Sequence, residues 1–334
     1  MNPSRHGLGV SANLDVLRPM GASPREERFT FPPVSGTAAT APRVLVAMLY
    51  SGEAQMERAL SALATQRGVC IHLVLLSGFT NREGHDRLYY VFMENAGEFD
   101  YFLKLDADME ILHACRVATA IERIQSEAAD HLVVPLFDWL SDRPIHGAHL
   151  FRSHMVWEMD GNEKLFVDPN PANAVRKVVV PLSEAAFALH NREPAEADAY
   201  AFGVHRARKA MQRGSDVGRY RCQQARDQMR LLGTILAAVR AKPDRRRWFA
   251  LVGAADEMRN LVPGSEYRSA ASGNRLELLR AMDDGALARS ARTWWSSPLK
   301  LAQYWVQVLL RCFAAFLRRA FVRLDRWVGS PDKM

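Results

Sequence analysis

The sequence has few cysteines and no long apolar run near its start. Its cysteines are widely spaced and include no C-x-x-C pair: Cys70, Cys115, Cys222 and Cys312. This spacing indicates neither a zinc site nor a disulfide framework, so a reducing, cytoplasmic setting is expected. The N-terminus lacks a basic segment followed by an apolar core, so no signal peptide is predicted. No stretch before residue 290 is apolar enough to span a bilayer.

Acidic residues are outnumbered by basic ones. Asp and Glu total 37 against 44 Lys and Arg, which gives a net charge of +7. Such a surplus suits an anionic partner, for example a nucleoside diphosphate, a phospholipid or a nucleic acid. No helix-turn-helix, zinc or base-stacking motif accompanies the charge, so nucleic acid is not expected as a partner.

The order of apolar segments predicts an α/β protein. Residues 1–41 are rich in Pro, Gly, Ser and Thr and are predicted to be a flexible leader. Residues 42–210 then alternate buried-type strands, such as 43–50 and 69–76, with amphipathic helices, which predicts an open, mostly parallel sheet flanked by helices. Residues 211–292 are predicted to form a C-terminal helical extension, and 293–328 an amphipathic helix.

A D-x-D motif follows a short predicted strand. Tyr101 to Leu105 runs directly into Asp106-Ala107-Asp108. In open α/β sheets ligands bind at the carboxyl ends of the strands. Paired carboxylates there suit Mg²⁺ or Mn²⁺ that bridges a diphosphate, although acidic pairs are often only solvated surface.

The segment from Val44 to about Phe151 resembles the nucleotide-binding half of GT-A glycosyltransferases. The similarity is to family 2-like bacterial enzymes of polysaccharide and lipopolysaccharide assembly. The residues that carry it are Val44 to Glu53, Ser61 to Gln66 and the core Lys104-Leu105-Asp106-Ala107-Asp108-Met109. The resemblance implies that 42–210 is a GT-A catalytic domain with a nucleotide-sugar donor and a glycan or lipid-linked acceptor.

The resemblance also implies roles for particular residues. Tyr50 and Glu53 would lie along the nucleoside, Asp106 beside ribose or metal, and Asp108 on the metal. Glu53 is equally well interpreted as an acid that favours a helix N-terminus. An acidic turn that these families often carry after the second strand is missing, and Asn81 or His85 would replace it. The residues expected to bind donor are Tyr50, Glu53, Asn81, His85, Lys104 and Asp106.

The acceptor side is less defined by the sequence. A base must lie within hydrogen-bond reach of the acceptor hydroxyl, and Asp138 and Asp142 follow a predicted strand. The resemblance to GT-A enzymes implies a third metal ligand, His190 or His205, although a lone histidine is more often part of ordinary packing. Residues Pro144 to Arg152 are interpreted as a floor beneath the donor sugar, and a structural role of their histidines is the equal alternative.

The tail from Thr293 to Trp327 has helical periodicity. Lys300, Gln303, Gln307, Arg311 and Arg318 form one stripe, and Trp305, Leu309, Phe313, Phe316 and Ala320 lie opposite. Basic and aromatic residues together predict an in-plane anchor on an anionic membrane, at the inner face of the plasma membrane. Packing on the catalytic domain or on a second subunit is the alternative.

The sequence therefore predicts a metal-dependent transferase that moves a sugar from a UDP- or GDP-sugar to a glycan or lipid-linked acceptor, with Mn²⁺ or Mg²⁺ as cofactor. One alternative is a metal-dependent nucleotidyltransferase, although the loop Tyr50 to Glu53 has a single glycine where that class commonly has a glycine-rich phosphate loop. The other is a non-catalytic basic protein that binds membranes.

Overall fold

The computed structural model describes residues 23–32, 41–158, 170–212, 222–259, 274–295 and 297–328. The strands are β1 Arg25–Phe31, β2 Arg43–Tyr50, β3 Cys70–Ser77, β4 Tyr101–Asp106, β5 Met109–Ile111, β6 His131–Asp138, β7 Arg143–Arg152, β8 Lys177–Val179 and β9 Ala188–His190. The helices are α1 Met56–Ala64, α2 Asn81–Glu94, α3 Arg116–Ser126, α4 Glu196–Met211, α5 Cys222–Ala241, α6 Arg245–Met258, α7 Asn274–Ala281, α8 Asp284–Trp295 and α9 Pro298–Val328.

The predicted α/β class is confirmed, but the sheet is mixed and not mostly parallel. Its order is β1-β3-β2-β4-β7-β6-β9-β5, with β8 beside β6. Parallel pairs are β2–β3, β2–β4, β6–β8 and β6–β9, and the other four pairs are antiparallel. The physical reason is the short connection between β6 and β7, because a short turn joins antiparallel neighbours whereas parallel strands need a long crossover.

Strand β1 corrects the prediction that residues 1–41 form a flexible leader. Arg25–Phe31 pairs antiparallel with β3, from Arg25 opposite Ser77 to Phe31 opposite Ile71. Phe29 and Phe31 pack against the core of the sheet, and the residues between them are more exposed. This alternation is typical of an edge strand with one buried face. Residues 1–22 and 33–40 of the predicted leader lie outside the described residues.

The central strands are buried on both faces. In β2, Val44, Val46 and Met48 pack with α1 and α3, while Leu45 and Ala47 face the side of α2. Successive strand residues point to opposite faces, so an uninterrupted apolar run fits only a strand covered by helices on both sides. The carboxyl ends of β2, β3 and β4 therefore reach the surface together at one edge.

A second core lies among the C-terminal helices. It joins α4 through α9, and α4 crosses α6 so closely that Gly203 lies against the Ala250 carbonyl and Gly253 against the Tyr200 carbonyl. The predicted boundary at residue 211 coincides with the end of α4. That helix nevertheless belongs to both parts, because Ala199, Val204 and Ala207 are buried in the helical core.

The tail helix begins later than predicted. Trp294 and Trp295 end α8 and are buried, and the Trp295 indole donates to the Leu251 carbonyl at 3.1 Å. The predicted helix over 293–328 is therefore divided, and its main part is α9 from Pro298. Within the described ranges, no helix is long and apolar enough to cross a membrane.

Candidate functional site

A pocket opens where β2, β3 and β4 end, and one side of α4 also lines it. Its walls come from the loops after β2 and β3, the start of α2, the turn after β4, the middle of β7 and the end of β9. The polar and charged residues that line it are Tyr50, Ser51, Glu53, Thr80, Asn81, His85, Lys104, Asp106, Asp108, His146, His190, Asn191, Asp198, His205, Arg206 and Lys209. The pocket thus contains every residue predicted to bind donor or metal.

The loop after β2 holds Glu53 in place. Gly52 has φ of +100°, a conformation that favours glycine, and turns the chain away from the sheet. The Ser51 amide then donates to Glu53 Oε2 at 2.7 Å. The Glu53 carboxylate therefore bonds the loop backbone, and it lines the pocket beside Tyr50.

The start of α2 forms the neighbouring wall. Thr80 and Glu83 cap the helix reciprocally, with the Thr80 hydroxyl accepting from the Glu83 amide. His85 Nδ1 lies 2.7 Å from the Asn81 carbonyl oxygen. A carbonyl only accepts, so His85 Nδ1 carries a proton and donates it to the Asn81 carbonyl.

Strand β4 brings a buried lysine to the D-x-D motif. Lys104 is 3% exposed, and its Nζ lies 3.3 Å from Asp106 Oδ1. The two side chains are two residues apart in a strand and so share one face of the sheet. Asp108 follows in the turn to β5, and its side chain is more buried than that of Asp106. The two acids of the motif therefore have different neighbours.

Asp108 faces His190, which belongs to β9. Asp108 Oδ2 lies 3.4 Å from His190 Nε2, and the opposite ring nitrogen, Nδ1, lies 2.8 Å from Asp138 Oδ1. Asp138 is fully buried at the end of β6 and also accepts from the Ser141 amide and hydroxyl at 2.8 and 2.5 Å. The chain brings these acids together because β6 and β9 are parallel neighbours with Asp138 opposite His190.

The protonation of this group follows from its contacts. Burial opposes a charge on His190, but the Asp108 charge and the Asp138 hydrogen bond outweigh it and raise the pKa of His190. Burial likewise works against ionised Asp138, yet hydrogen bonds from His190 and Ser141 lower the pKa of Asp138. Both shifts favour a protonated His190 ring paired with an ionised Asp138 carboxylate.

Helix α4 supplies the basic wall. Asp198, Phe202, His205, Arg206 and Lys209 recur at helical spacing and line the pocket, while the opposite side of the helix packs in the second core. The Arg206 guanidinium lies 4.6 Å from the Phe202 ring centroid. Burial, together with the charges of Lys209 and Arg206, sets the pKa of His205 well below its usual value. His205 is therefore neutral at pH 7.

The two predicted bases do not line the pocket. Asp138 lies behind His190, with no exposed surface. Asp142 has φ of +54° in the turn before β7, and its largely exposed carboxylate is 4.0 Å from Arg247. Neither is placed to meet an acceptor hydroxyl in the pocket. Asp138 ends β6 and Asp142 follows it, as predicted. The side chain of Asp138 is buried behind His190, and that of Asp142 lies outside the pocket.

Asp198 is the carboxylate that the sequence analysis missed. It lines the pocket from the first turn of α4. A signal was present in the sequence, since Asp198, Phe202, His205 and Lys209 follow a helical repeat. The predicted floor, Pro144 to Arg152, lies entirely within strand β7, which contributes Ile145, His146 and Gly147 to the pocket.

The donor atoms fit a divalent cation in part. Among the described residues, no three His, Cys, Asp or Glu side chains already converge as a metal shell. Asp108 Oδ2 and His190 Nε2 are 3.4 Å apart, close to the separation of about 3 Å between neighbouring ligands of one octahedral ion. A carboxylate oxygen and an imidazole nitrogen suit Mn²⁺, and Asp106 is two residues from Asp108. His205, the other predicted ligand, lies on α4 with the charges of Lys209 and Arg206 nearby.

Comparisons with protein-family models, with curated proteins and with solved structures found no match to this chain. The function must therefore be inferred from the chemistry of the pocket.

Proposed function

We propose that this protein is a metal-dependent glycosyltransferase of the GT-A type, which moves a sugar from a UDP- or GDP-sugar to a glycan or lipid-linked acceptor. The observation that carries the proposal is the composition of one pocket. Acids at the end of β4 and basic residues of α4 line this pocket together, and so do Tyr50, the last residue of β2, and Asn81, the first residue of α2. The position of the D-x-D motif at that strand end supports the assignment to the GT-A type.

The charges of the pocket suit a diphosphate. Lys104, Arg206 and Lys209 line it together, and each can donate charge-assisted hydrogen bonds to phosphate oxygens. Asp108 and His190, with Asp106, would hold Mn²⁺ or Mg²⁺, which when bound neutralises charge on a departing nucleoside diphosphate. Tyr50 and Glu53 would contact the nucleoside, and Asn81 and His85 would take the place of the missing acidic turn.

Asp198 is proposed as the base. The carboxylates that line the described pocket are Glu53, Asp106, Asp108 and Asp198. Glu53 bonds the loop backbone, and Asp106 and Asp108 belong to the proposed metal site. Asp198 lines the pocket from α4, outside the proposed metal site, and is assigned to accept the proton of the acceptor hydroxyl as that oxygen attacks the sugar. It replaces Asp138 and Asp142 in this role.

The proposal is tested by nucleotide binding. Titration calorimetry of the full chain with UDP and GDP, with and without Mn²⁺, is expected to show binding that depends on Mn²⁺. The variant Asp108→Asn is expected to lose that dependence, and hydrolysis of UDP- or GDP-sugars with it. Glu277→Gln on α7 is the control, because Glu277 is exposed, lies outside the pocket and loses the same charge.

Three outcomes would argue against the proposal. Donor hydrolysis that continues undiminished in chelator, or in Asp108→Asn, contradicts the metal role of the motif. Transfer of the nucleotide itself to an acceptor phosphate indicates a nucleotidyltransferase. Failure to bind either nucleotide, with lipid binding retained, indicates a non-catalytic membrane protein.

The proposal includes peripheral contact with an anionic membrane through α9. Tyr304 and Val308 bury one side of this helix, and the Tyr304 hydroxyl donates to the Ala210 carbonyl at 3.3 Å. Large apolar side chains on other sides of the helix are 39 to 69% exposed: Leu299, Trp305, Val306, Leu309, Leu310, Phe313 and Leu317. We call these seven residues the outer face of α9.

Charge favours a lipid surface as the partner of the outer face. The α9 sequence contains one acidic residue, Asp325, and six basic ones: Lys300, Arg311, Arg318, Arg319, Arg323 and Arg326. Apolar and aromatic residues beside cations are typical of helices that lie in the interface of anionic membranes. Of the predicted apolar stripe, Trp305, Leu309 and Phe313 are exposed, and the side chains of Phe316 and Ala320 lie outside the described residues. A cytoplasmic location at the inner face of the plasma membrane remains part of this proposal.

A further inference from the structure

We propose that Asp138 is a positioning residue that fixes the tautomer and the ring orientation of His190, so that the His190 Nε2 lone pair faces Asp108. The tautomer follows from contacts within this chain. The consequence for cation binding rests on the proposed function.

The carboxylate of Asp138 is held from both sides. Ser141 donates through its amide and its hydroxyl to Oδ2, while Oδ1 accepts from His190 Nδ1 at 2.8 Å. Asp138 has no exposed surface and His190 is 6% exposed. A carboxylate locked in this way has one orientation, and it requires a proton on His190 Nδ1.

The other neighbours of the ring do not compete for this arrangement. Asn191 Nδ2 lies 3.2 Å from Nδ1 and 3.1 Å from Nε2. An amide NH₂ group only donates, so it is compatible with a proton on Nδ1 and a lone pair on Nε2. Phe202 contacts the ring with centroids 6.0 Å apart, and the Arg206 charge acts on it from α4. Asp108 Oδ2 is the group beside Nε2. With the Nδ1 proton committed to Asp138, a neutral His190 presents its lone pair on the pocket side.

This arrangement has the form in which histidines bind cations. A histidine ligand usually donates its second ring N–H to a carboxylate, which fixes the tautomer and makes the ligating nitrogen more basic. Asp138 is the carboxylate that accepts from His190 Nδ1, and Asp108 lies beside the other ring nitrogen, Nε2. The fully buried acid at the end of β6 thereby acts on the pocket without lining it.

The isosteric variant Asp138→Asn makes a sharp test because it inverts the tautomer. The Ser141 amide can only donate, so in this variant the oxygen of the new side-chain amide must turn to Ser141 and its NH₂ group to His190. His190 Nδ1 must then accept, and a neutral ring carries its proton on Nε2, facing Asp108. A protonated Nε2 has no lone pair for a cation.

The experiment is ¹⁵N NMR of histidine-labelled full-length protein, at a pH alkaline enough for the His190 ring to be neutral. The His190 signals are assigned by their loss in His190→Gln. Wild type is expected to show a protonated Nδ1 and Asp138→Asn a protonated Nε2. Titration with Mn²⁺ alone is expected to show affinity about 10- to 100-fold lower in Asp138→Asn.

Ser141→Ala is the matched control. It removes one hydrogen bond to Asp138 but keeps the carboxylate and the backbone amide at position 141, so the His190 tautomer is expected to stay as in wild type and Mn²⁺ affinity to change less than about threefold. Both variants are expected to lose stability, so melting temperature alone does not separate them, whereas the tautomer does.

A wild-type His190 with its proton on Nε2 would overturn the proposal, and this measurement needs no variant to fold. Equal Mn²⁺ affinity in wild type and folded Asp138→Asn would overturn it as well. Failure of the glycosyltransferase proposal has a different result, since nucleotides would then not bind while the Nδ1 tautomer in wild type persisted.

Discussion

At the scale of single residues, His205 is an imidazole held neutral among cations. Burial and the charges of Lys209, Arg206 and His85 all lower its pKa in the folded protein. The unfolded chain binds a proton near pH 6.5, and the folded chain does so only at lower pH. Below about pH 6.5 the unfolded state therefore holds more protons, and the stability of the protein falls as pH falls.

We expect His205→Gln to weaken this pH dependence. Urea unfolding measured from pH 7.5 to pH 5 gives the free energy of unfolding, and its decline below about pH 6.5 should be smaller in the variant than in wild type. His113→Gln, at an exposed position in the turn before α3, is the control and should decline as wild type does. Parallel curves for wild type and His205→Gln would show that His205 does not titrate with a lowered pKa.

Asp198 gives the prediction about catalysis. If Asp198 takes the acceptor proton, Asp198→Asn should lower kcat of sugar transfer by about 10²- to 10⁴-fold, since general-base catalysis contributes on that order. Binding of the nucleoside diphosphate with Mn²⁺ should change little.

The control for Asp198 is Glu193→Gln, a neighbouring carboxylate whose side chain is 51% exposed and 3.7 Å from Arg58. It should leave kcat near the wild-type value. Transfer that is undiminished in Asp198→Asn would return the search for the base to other carboxylates of the chain.

The part of the pocket at the end of β4 could be predicted from the sequence, because its residue types follow one strand. Asp106, Asp108 and Lys104 lie in a single strand and its turn, so a local pattern places them together. His190 was a candidate, but its partner Asp138 was expected to be a base. Their contact depends on β9 pairing with β6, with more than fifty residues between them in the chain. A local pattern does not contain the register of such a pair.

At the scale of elements, the crossing of α4 and α6 fixes the basic wall. A methyl group at Gly203 would stand 1.8 Å from the Ala250 carbonyl oxygen, and one at Gly253 would stand 2.3 Å from that of Tyr200. Both contacts are with backbone atoms, which cannot move away by a change of rotamer as a side chain can. The two glycines therefore set how closely these helices approach.

Gly203→Ala is expected to lower the free energy of unfolding by about 1–3 kcal/mol, as overpacking does, and to weaken nucleotide binding because α4 must shift. Gly233→Ala is a matched control in α5, where no atom lies within 4 Å of the added methyl group. It should stabilise the protein by up to about 1 kcal/mol through helix propensity. Chemical denaturation measures both, and a stabilised Gly203→Ala would contradict the close crossing.

Elements with strong periodicity were predicted well, and elements that depend on pairing were not. Strands β2 and β3 are apolar runs, and each matches its predicted range, 43–50 or 69–76, to within one residue. Strand β7 contains Pro144, Gly147 and two histidines, a composition more typical of a loop. It is a strand because β4 and β6 pair with it on both sides. Pairing with its neighbours therefore stabilises an extended conformation that the residues of β7 do not favour by themselves.

At the scale of the whole molecule, the pocket joins two cores. One wall is the strand-end edge of the sheet and the other is α4, whose buried side belongs to the helical core. The predicted division at residue 210 separated a catalytic domain from an extension. In the structure, the helices that pack behind α4 help to position its basic residues. One contact of this kind is the buried ion pair between Arg208 of α4 and Glu257 of α6.

The outer face of α9 gives the prediction for membrane contact. Full-length protein is expected to sediment with vesicles of phosphatidylcholine and phosphatidylglycerol more than with phosphatidylcholine alone, and less so as salt rises and screens the charges. The double variant Leu309→Glu, Phe313→Glu places acids at positions 65% and 60% exposed. It should weaken vesicle binding on the order of 100-fold, from the loss of two apolar side chains.

Leu278→Glu is the control for this test. Leu278 is 59% exposed and lies on α7. The control variant therefore replaces an exposed leucine by glutamate and leaves the outer face of α9 unchanged. Vesicle binding should match wild type in Leu278→Glu, and circular dichroism should show all three proteins folded. If the double variant instead bound vesicles normally but changed from dimer to monomer in sedimentation velocity, the outer face would be covered by a second copy of the chain.

A membrane on the outer face would also lie beside α4. Arg311 of α9 donates to the Met211 carbonyl at the end of α4, the helix that forms the basic wall. Weaker lipid binding in the double variant would therefore place the membrane next to the pocket.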